Sequence, residues 1–320
     1  MSSRVRIVYR SAESENTKPR PPYYSKTLAL ASLLRAVEPL GDDAEIVFVN
    51  DGDIPADRLA LMEAHGTVRR IEGGSNRATF RAVVAHEAAL AGEPDDLVWF
   101  AEDDYLYAPD ALTSLRAAAD AFPGTDYFAM YGSGSLDLDA SGARAVRRDQ
   151  PGTDGLPDAP RRGAAAWFRA HSTTSTFGVR RAALRQDAAL LRRMPYTGGA
   201  WDRATCLALQ GFRPFAAADL LPDADGGTLR GVVRGVVRAA VGLLVRRPSR
   251  HRVLMGSDPE LVWHMEIHDY DERGRPSTAT CAVDWAAVAV DTMFWAADRG
   301  IPVPSGTAVT SGRRGCDTAS

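Results

Sequence analysis

The chain has 320 residues, of which 45% are hydrophobic and 25% charged, and its formal net charge is −3. These values are those of an ordinary folded protein, so a wholly disordered chain and a collagen-like chain are both excluded. The length suits one large domain or two small ones. A general nucleic-acid binder would carry a basic excess, so we expect no nucleic acid among the partners.

The cysteine pattern and the absence of long apolar runs indicate the compartment. Cys206, Cys281 and Cys316 lie far apart and form no CxxC pair, which argues against a structural zinc site and suits a reducing compartment. The N-terminus lacks the apolar stretch of a signal peptide, and no apolar run reaches the roughly 18 residues that a membrane-spanning helix needs. We therefore expect a cytoplasmic protein.

Strand-like and helix-like segments alternate through the first 131 residues. Strands are predicted at 5–9, 45–49, 68–71, 97–101 and 127–131, and helices from Ser25, over 56–65, over 77–91 and after Pro109. This alternation predicts an α/β domain with a mostly parallel central sheet. Continuously apolar strands such as 97–101 fit a sheet that is covered on both faces.

The middle of the chain has a different composition. Residues 132–163 are rich in Gly, Asp, Pro and Arg and predict a long surface loop, after which helices are expected from Arg181 and over about 202–210. The predicted division of the chain is a catalytic domain at 1–221, a C-terminal extension at 222–304 and a flexible tail at 305–320.

Three consecutive acids, Glu102, Asp103 and Asp104, follow the apolar strand at 97–101. In an open parallel sheet, ligands bind beyond the carboxyl ends of the strands. Neighbouring carboxylates repel one another unless a cation neutralises them, and hard oxygen ligands suit Mg²⁺ or Mn²⁺, which commonly bind substrate phosphates as well. The triplet thus predicts a divalent ion that holds a phosphate-containing substrate. The alternative is that these acids cap the next helix or face water.

Asp51 follows the second predicted strand, at 45–49. A carboxylate at this position can accept hydrogen bonds from a nucleobase or a ribose. Because Asn-Asp-Gly is also common turn chemistry, a purely structural turn is the alternative.

The order of these features resembles the GT-A fold and, within it, glycosyltransferase family 2. In that family an apolar strand is followed by an acidic triplet, four residues, a proline, two residues and a leucine. Here the acids 102–104 are followed at the same spacing by Pro109 and Leu112. The resemblance covers residues 4–220. It implies a GT-A-like (Rossmann-like) sheet, a nucleotide-diphospho-sugar donor, and Mn²⁺ or Mg²⁺ as cofactor.

The resemblance also implies roles for individual residues. Asp104 would be the main metal ligand on the diphosphate, and Asp51 would contact the base or ribose. Glu102 and Asp103 would line the ribose and sugar side. Arg77, in the Gly-Asn-rich turn before the third helix, would contact phosphate, unless it is simply a solvated helix start. The sequence departs from the family in its longer first loop and in Glu102, which replaces the usual first aspartate.

Two further site residues are implied by position in the family. Asp202, at the start of a predicted helix, would be the general base, with a helix cap as the alternative; its neighbour Trp201 would stack on a sugar or pack in the core. His264 would complete the metal shell, as a C-terminal histidine does in some GT-A enzymes. His264 and His268, four residues apart, share one face of a helix or a strand, but a lone surface histidine is the alternative.

The segment 229–252 contains seven arginines and no acid. Apolar residues at helical spacing, with Arg230, Arg234 and Arg238 on the opposite side, predict a basic amphipathic helix. Such a helix can lie on an anionic membrane surface, which would make the protein peripheral at the inner face of the membrane. The alternative is a core-facing helix with a solvated arginine face.

These features lead to the expectation of a metal-dependent, inverting glycosyltransferase in which Asp202 deprotonates an acceptor hydroxyl. The acceptor is left open between a lipid-linked compound and a small metabolite. One alternative is a nucleotidyltransferase, disfavoured because the loop at 10–24 has Lys18 and Arg20 but no glycine. Another is a catalytically silent GT-A-like protein on the membrane surface, anchored by 229–252.

Overall fold

The computed structural model describes residues 3–13, 17–132, 136–138, 145–147, 160–197, 201–212, 214–215, 229–244, 251–267 and 283–304. Its strands are β1 (Val5–Ala12), β2 (Ala44–Asp51), β3 (Thr67–Ile71), β4 (Leu97–Glu102), β5 (Tyr105–Tyr107), β6 (Tyr127–Ala129), β7 (Leu136–Leu138), β8 (Ala145–Arg147), β9 (Arg161–Arg162), β10 (Ala165–Arg169), β11 (Phe177–Arg180), β12 (Leu254–Asp258) and β13 (Val262–His264). Its helices are α1 (Lys26–Val37), α2 (Ala56–His65), α3 (Asn76–Ala89), α4 (Ala111–Ala121), α5 (Arg181–Leu191), α6 (Trp201–Leu209), α7 (Leu229–Leu244) and α8 (Trp285–Asp298), with 3₁₀ segments at Glu38–Asp43 and Met194–Thr197.

The described strands form one central sheet and two ribbons. The sheet has nine strands in the order β3-β2-β1-β4-β11-β6-β12-β10-β9, and the ribbons are β5-β13 and β7-β8. In the sheet β1 runs parallel to β2 and β4, β2 to β3, and β6 to β12, whereas β11 and β10 run against their neighbours. The prediction of an α/β fold with a mostly parallel, helix-flanked sheet is confirmed.

Continuous apolar strands allow helices to cover both faces of the sheet. In β4, Trp99 and its successor Phe100 are both fully buried, and they belong to different hydrophobic clusters because successive side chains point to opposite faces. The cluster around Trp99 includes side chains of α1, α4 and α8, and the cluster around Phe100 includes those of α3, α5 and α6. Two serines fix helix starts: Ser25 accepts a hydrogen bond from the Leu28 N–H, and Ser75 from the Ala78 N–H.

The C-terminal part of the chain contributes to the same sheet. β12 lies between β6 and β10, and α8 packs against the core beside α1. The predicted extension at 222–304 therefore shares its sheet with the predicted catalytic domain, and the boundary between them stays a prediction. The predicted loop at 132–163 falls mostly outside the described residues, and the predicted tail at 305–320 falls wholly outside them.

The helix predicted in the basic stretch is present as α7, but it is rotated relative to the prediction. Arg238 points inward, where it donates to the Thr197 carbonyl and lies over the Phe215 ring, and Val241 is buried. Val236 and Leu243 are 64% and 63% exposed. The predicted solvated arginine face is therefore wrong for Arg238, because the helix packs through the side that carries Arg238 and Val241. No helix among the described residues is long and apolar enough to cross a membrane.

Candidate functional site

A cavity of about 360 Å³ opens at the carboxyl ends of β1, β2 and β4. Parallel pairing aligns these ends, with Ala12 opposite Asp51 and Arg10 opposite Glu102. Asp51 and all three acids of the triplet therefore meet at one place, as their positions after two strands predicted. The cavity is lined by Arg10, Ser11, Ala12, Lys18, Asp51, Asn76, Thr79, Glu102, Asp103, Asp104, His264 and Glu266.

At one side of the cavity Asp104, His264 and Glu266 form a group whose ligand atoms lie within 4.8 Å of one another. The β5-β13 ribbon creates this contact, since it sets His264 opposite Tyr105, and the Met265 N–H donates to the Asp104 carbonyl. His264 Nε2 is 2.9 Å from Asp104 Oδ2 and 3.2 Å from Glu266 Oε1. The imidazole stacks on the Tyr105 ring at 4.5 Å, which fixes its plane.

Two cations approach the same carboxylates from the loop after β1. Arg20 Nη2 donates to Asp104 Oδ2 at 2.9 Å, and Lys18 Nζ lies 2.6 Å from Glu266 Oε2. The Arg20 Nη1 donates to the Met265 carbonyl, which attaches this loop to the segment that carries His264. Each carboxylate of the group thus already has a cationic partner from the chain itself.

These contacts shift the pKa of each group away from its ordinary value. Burial alone would raise the pKa of the Asp104 carboxyl, but His264 and Arg20 lower it to about 2. Glu266 follows the same pattern: burial opposes the shift, and His264 and Lys18 lower its pKa to about 2. Burial would lower the pKa of His264, yet Asp104 and Glu266 raise it to about 9. The imidazole therefore carries a proton between two carboxylates at neutral pH.

The donor set of this group fits a divalent cation. Two carboxylate oxygens and one imidazole nitrogen are ligands that Mn²⁺ accepts, and carboxylates also suit Mg²⁺. A metal ion would have to replace the proton of His264 and compete with Arg20 for Asp104, since ligands bind in their deprotonated form. Asp104 and His264 were predicted as metal ligands from the sequence, whereas Glu266 was not. On an extended segment, residues two apart share one face, and that spacing was the available signal. His268 lies outside the described residues.

The other two acids of the triplet are bound by different elements. Asp103 accepts hydrogen bonds from the Ser11 hydroxyl and the Ala12 N–H, both at 3.0 Å, and pairs with Lys26 at 3.0 Å. Glu102 pairs with Arg10 at 2.6 Å. Mutual repulsion of the triplet is therefore relieved by the chain's own cations as well, so the repulsion argument alone does not require a metal ion.

Arg10 lines the cavity and was not predicted as a site residue. Its side chain is only 5% exposed, and besides Glu102 it donates to the Asn76 side chain at 2.7 Å and lies over the Phe80 ring. Burial raises the pKa of the Glu102 carboxyl in spite of the Arg10 charge. The available signal was an arginine that directly follows the apolar run Ile7-Val8-Tyr9. The predicted ribose and sugar contacts of Glu102 and Asp103 stay predictions.

Asp51 holds the turn before α3. Its carboxylate accepts hydrogen bonds from the N–H groups of Gly73 and Gly74, at 2.9 and 3.2 Å, and from the Thr79 hydroxyl at 2.6 Å. Partial burial acts to raise the pKa of Asp51, but these hydrogen bonds outweigh it and the pKa is lowered. A Cβ atom at position 73 would collide with Thr79 Oγ1 and crowd Asp51 Oδ2, so glycine suits this turn. These contacts support the alternative that Asp51 stabilises a turn. A contact of Asp51 with a nucleoside stays a prediction.

The remaining predicted site residues do not line the cavity. Arg77 is exposed, and its guanidinium lies over the Tyr196 ring at 5.6 Å. Asp202 sits in the first turn of α6, where burial raises the pKa of its carboxyl. Its neighbour Trp201 packs on Phe80 at 5.1 Å, so the predicted core contact of Trp201 is present. The general-base role of Asp202 stays a prediction.

Comparison with known proteins finds similar solved structures only. No family model and no curated protein matches the chain. A crystal structure of S. aureus TarS 1-349 is 12% identical with a TM-score of 0.41, covering 91% of this chain and 65% of that one. TarS 1-349 in complex with UDP is 14% identical with a TM-score of 0.38, covering 64% and 54%. A 4-diphosphocytidyl-2C-methyl-D-erythritol synthase is 13% identical with a TM-score of 0.39, covering 84% and 94%.

The chain thus spans less than two thirds of the length of both TarS structures. With identities and TM-scores this low, the matches establish neither a family nor an activity. What is established is a mixed α/β fold with a charged cavity at the carboxyl edge of its parallel strands.

Proposed function

We propose that this protein is a metal-dependent glycosyltransferase that moves a sugar from a nucleotide-diphospho-sugar to an acceptor hydroxyl. The observation that carries the proposal is the group of Asp104, His264 and Glu266, which come from two segments far apart in the chain and meet in a cavity at the sheet edge. This edge is where open α/β sheets bind nucleotides. The GT-A resemblance of the acidic triplet supports the same function.

The three side chains would hold Mn²⁺ or Mg²⁺. Such an ion would supply Lewis-acid stabilisation of the leaving diphosphate. Lys18, which lines the cavity, and Arg20 add positive charge beside the same position and would contribute to binding the diphosphate. Asp51, which lies at the end of the neighbouring strand, would accept a hydrogen bond from the nucleobase or the ribose.

In the proposed reaction the acceptor oxygen attacks the anomeric carbon of the sugar. A bond forms between these two atoms, the bond from the anomeric carbon to the diphosphate oxygen breaks, and the nucleoside diphosphate leaves. Asp202 would take the proton of the acceptor hydroxyl. Its raised pKa suits a general base better than an ordinary exposed aspartate, since base strength rises with pKa. Attack opposite the leaving group inverts the anomeric carbon.

The first test is thermal unfolding of the full chain with Mn²⁺, with UDP or GDP, and with both. A ligand at a hundredfold excess over its Kd stabilises the folded state by about 2.7 kcal/mol, so binding raises the melting temperature measurably. We expect a rise with metal and nucleotide together that is lost in Asp104→Asn and Glu266→Gln. Asp110→Asn is the matched control, because Asp110 is exposed and outside the cavity. Wild-type protein without metal-dependent nucleotide stabilisation would favour the catalytically silent protein.

A nucleotidyltransferase is the second candidate, and the position of two cations favours it. The loop after β1 lacks the glycine of a phosphate-binding loop, yet Lys18 lines the cavity and Arg20 binds Asp104, which lines it too. The two reactions release different products. Release of nucleoside diphosphate from a nucleotide-sugar supports glycosyl transfer, and release of pyrophosphate from a nucleoside triphosphate supports nucleotidyl transfer.

A further inference from the structure

The loop after β1 is attached to the segment that carries two of the three candidate metal ligands. Arg20 Nη2 donates to Asp104 Oδ2 at 2.9 Å, and Arg20 Nη1 donates to the Met265 carbonyl at 2.8 Å. One residue earlier in the loop, the Pro19 carbonyl accepts a hydrogen bond from the Ile267 N–H at 2.9 Å. These contacts hold a guanidinium against a carboxylate that a divalent cation would need.

The oxygens that a cation would bind already have donors. Asp104 Oδ2 lies 2.9 Å from Arg20 Nη2 and 2.9 Å from His264 Nε2. Glu266 divides its contacts, since Oε1 is 3.2 Å from His264 Nε2 and Oε2 is 2.6 Å from Lys18 Nζ. The Asp104 and Arg20 side chains are each 13% exposed, so water screens their attraction only weakly. A cation that enters this group must therefore compete with donors of the chain itself.

The charge balance of the group also opposes a divalent cation. Asp104 and Glu266 supply two negative charges, which Arg20 and Lys18 offset. Because the affinity of an oxygen-ligand site for a divalent cation depends on the charge of its ligands, an offset pair of carboxylates binds such an ion weakly. A diphosphate would reverse the balance, since it brings further negative charge and offers oxygens that arginine binds through paired hydrogen bonds.

Arg20 is incompletely bonded in its present position. Its Nε is buried and donates to no acceptor among the described residues, and a buried donor without an acceptor costs free energy. Lys18 is 55% exposed and lines the cavity, so it can reach a ligand there. A phosphate offers several oxygens to a guanidinium or an ammonium group, so both side chains gain acceptors when one enters the cavity.

We propose that Arg20, assisted by Lys18, suppresses cation binding by pairing with the carboxylates, and that the diphosphate of the donor relieves the suppression by taking over these two side chains. The carboxylates of Asp104 and Glu266 then become available to the divalent cation, so cation and nucleotide bind together. The diphosphate is that of the proposed nucleotide-sugar, so this inference rests on the proposed function. It assigns a regulatory role to the loop after β1 that is separate from catalysis.

The first measurement uses Mn²⁺ alone, without nucleotide, and follows the free ion by electron paramagnetic resonance in the presence of the full chain. Arg20→Met removes the charge and keeps much of the side-chain length. We expect this variant to bind Mn²⁺ at least about tenfold more tightly than wild type, because a positive charge close to the ion is gone. Equal affinity of the two proteins for Mn²⁺ would overturn the proposal.

Two further variants separate the charge from other effects. Arg20→Lys keeps the positive charge, so its Mn²⁺ affinity should stay near that of wild type. A gain as large as that of Arg20→Met would overturn the charge argument. Arg116→Met is the matched control, because Arg116 pairs with Asp43 at 2.9 Å outside the cavity and its loss should leave Mn²⁺ binding unchanged. Far-UV circular dichroism verifies that each variant is folded.

The second measurement is calorimetric titration of UDP or GDP with and without Mn²⁺. Coupling between two ligands is reciprocal, so suppression by Arg20 predicts that Mn²⁺ improves nucleotide affinity more in wild type than in Arg20→Met. An equal improvement in both proteins would overturn the relief by diphosphate. Failure of the proposed function is distinguishable: neither protein would bind nucleotide, while their Mn²⁺ affinities measured alone would still differ. That result would overturn the relief and leave the suppression by Arg20 in place.

Discussion

The cavity and α7 use the same cation, arginine, in opposite ways. In the cavity Arg10 and Arg20 meet carboxylates within 2.9 Å, so positive and negative charge neutralise each other inside the site. On α7 Arg238 donates a hydrogen bond to the backbone carbonyl of Thr197 and lies over the Phe215 ring. The comparison shows that the structural role of an arginine depends on the group that it contacts. Arg10 and Arg20, which face acids, hold the carboxylates of the cavity in place, whereas Arg238 attaches a helix to the segment Met194–Thr197.

The largest loss of stability is expected when a charge pair beside the cavity is broken. Asp103→Ala removes the carboxylate from Lys26, which is 5% exposed, and withdraws the acceptor of the Ser11 hydroxyl. Removing one partner of a buried pair costs about 3–5 kcal/mol of unfolding free energy. Urea unfolding followed by circular dichroism measures the loss.

The control for this prediction is a paired replacement. In Asp103→Leu with Lys26→Met both charges are gone, so the loss should be smaller than that of the single variant. If the single variant loses less than about 1 kcal/mol of unfolding free energy, the Asp103–Lys26 pair does not stabilise the fold. That result would favour the ligand-binding role that the sequence predicted for Asp103.

A smaller effect is expected at Asp51, whose carboxylate accepts three hydrogen bonds. Asp51→Ala should cost about 1.5–3 kcal/mol at neutral pH, the range for hydrogen bonds to a charged group. Because the folded pKa of Asp51 lies below its ordinary value of 3.8, its pH-dependent contribution is full above that value and is lost as the pH falls through the folded pKa.

The measurement for Asp51 is urea unfolding of wild type and variant at neutral pH and near pH 3. The difference between the two proteins should shrink in acid. Thr79→Val is a useful companion, since it removes the hydroxyl donor alone and should cost less. A difference that stays constant or grows in acid would show that Asp51 stabilises the turn by shape and not by charge.

The smallest change in unfolding free energy is expected for substitutions on the exposed side of α7. Val236→Glu should change the unfolding free energy by less than about 0.5 kcal/mol, because the side chain is 64% exposed and contributes little to the core. Val241→Glu, on the buried side of the same helix, is the contrasting variant and should be strongly destabilising. Thermal melting of both variants checks the orientation of α7, and equal losses at the two positions would contradict it.

Much of the sheet could be predicted because its local signals agree. The centres of β1, β2 and β4 are the apolar runs 7–9, 46–49 and 97–101, and Ser25 and Ser75 precede helices with the capping chemistry that serine supplies. β5 was not predicted. It is three residues long and depends on pairing with β13, more than a hundred and fifty residues later, which no local pattern reveals.

The candidate site was predicted in part for the same reason. Asp51 and Asp104 follow strands, and the carboxyl ends of parallel strands must meet at one edge, so their convergence in the cavity follows from sequence order. Arg10, Glu266 and Lys26 were not predicted. A charged residue takes part in a site because of the residues that it meets in the folded structure, and its own sequence position does not reveal them. Arg10 meets Glu102 through β1-β4 pairing, Glu266 joins Asp104 through β5-β13 pairing and meets Lys18 in the loop after β1, and Lys26 meets Asp103 from the start of α1.

The sequence by itself determined the α/β class and the acidic edge, because hydrophobic periodicity and strand-end position are local properties of the chain. Only the tertiary structure decided how each acid is neutralised and which side of α7 faces solvent. Those outcomes depend on contacts between segments distant in the chain, and the balance between desolvation and pairing of charges is settled where those segments meet.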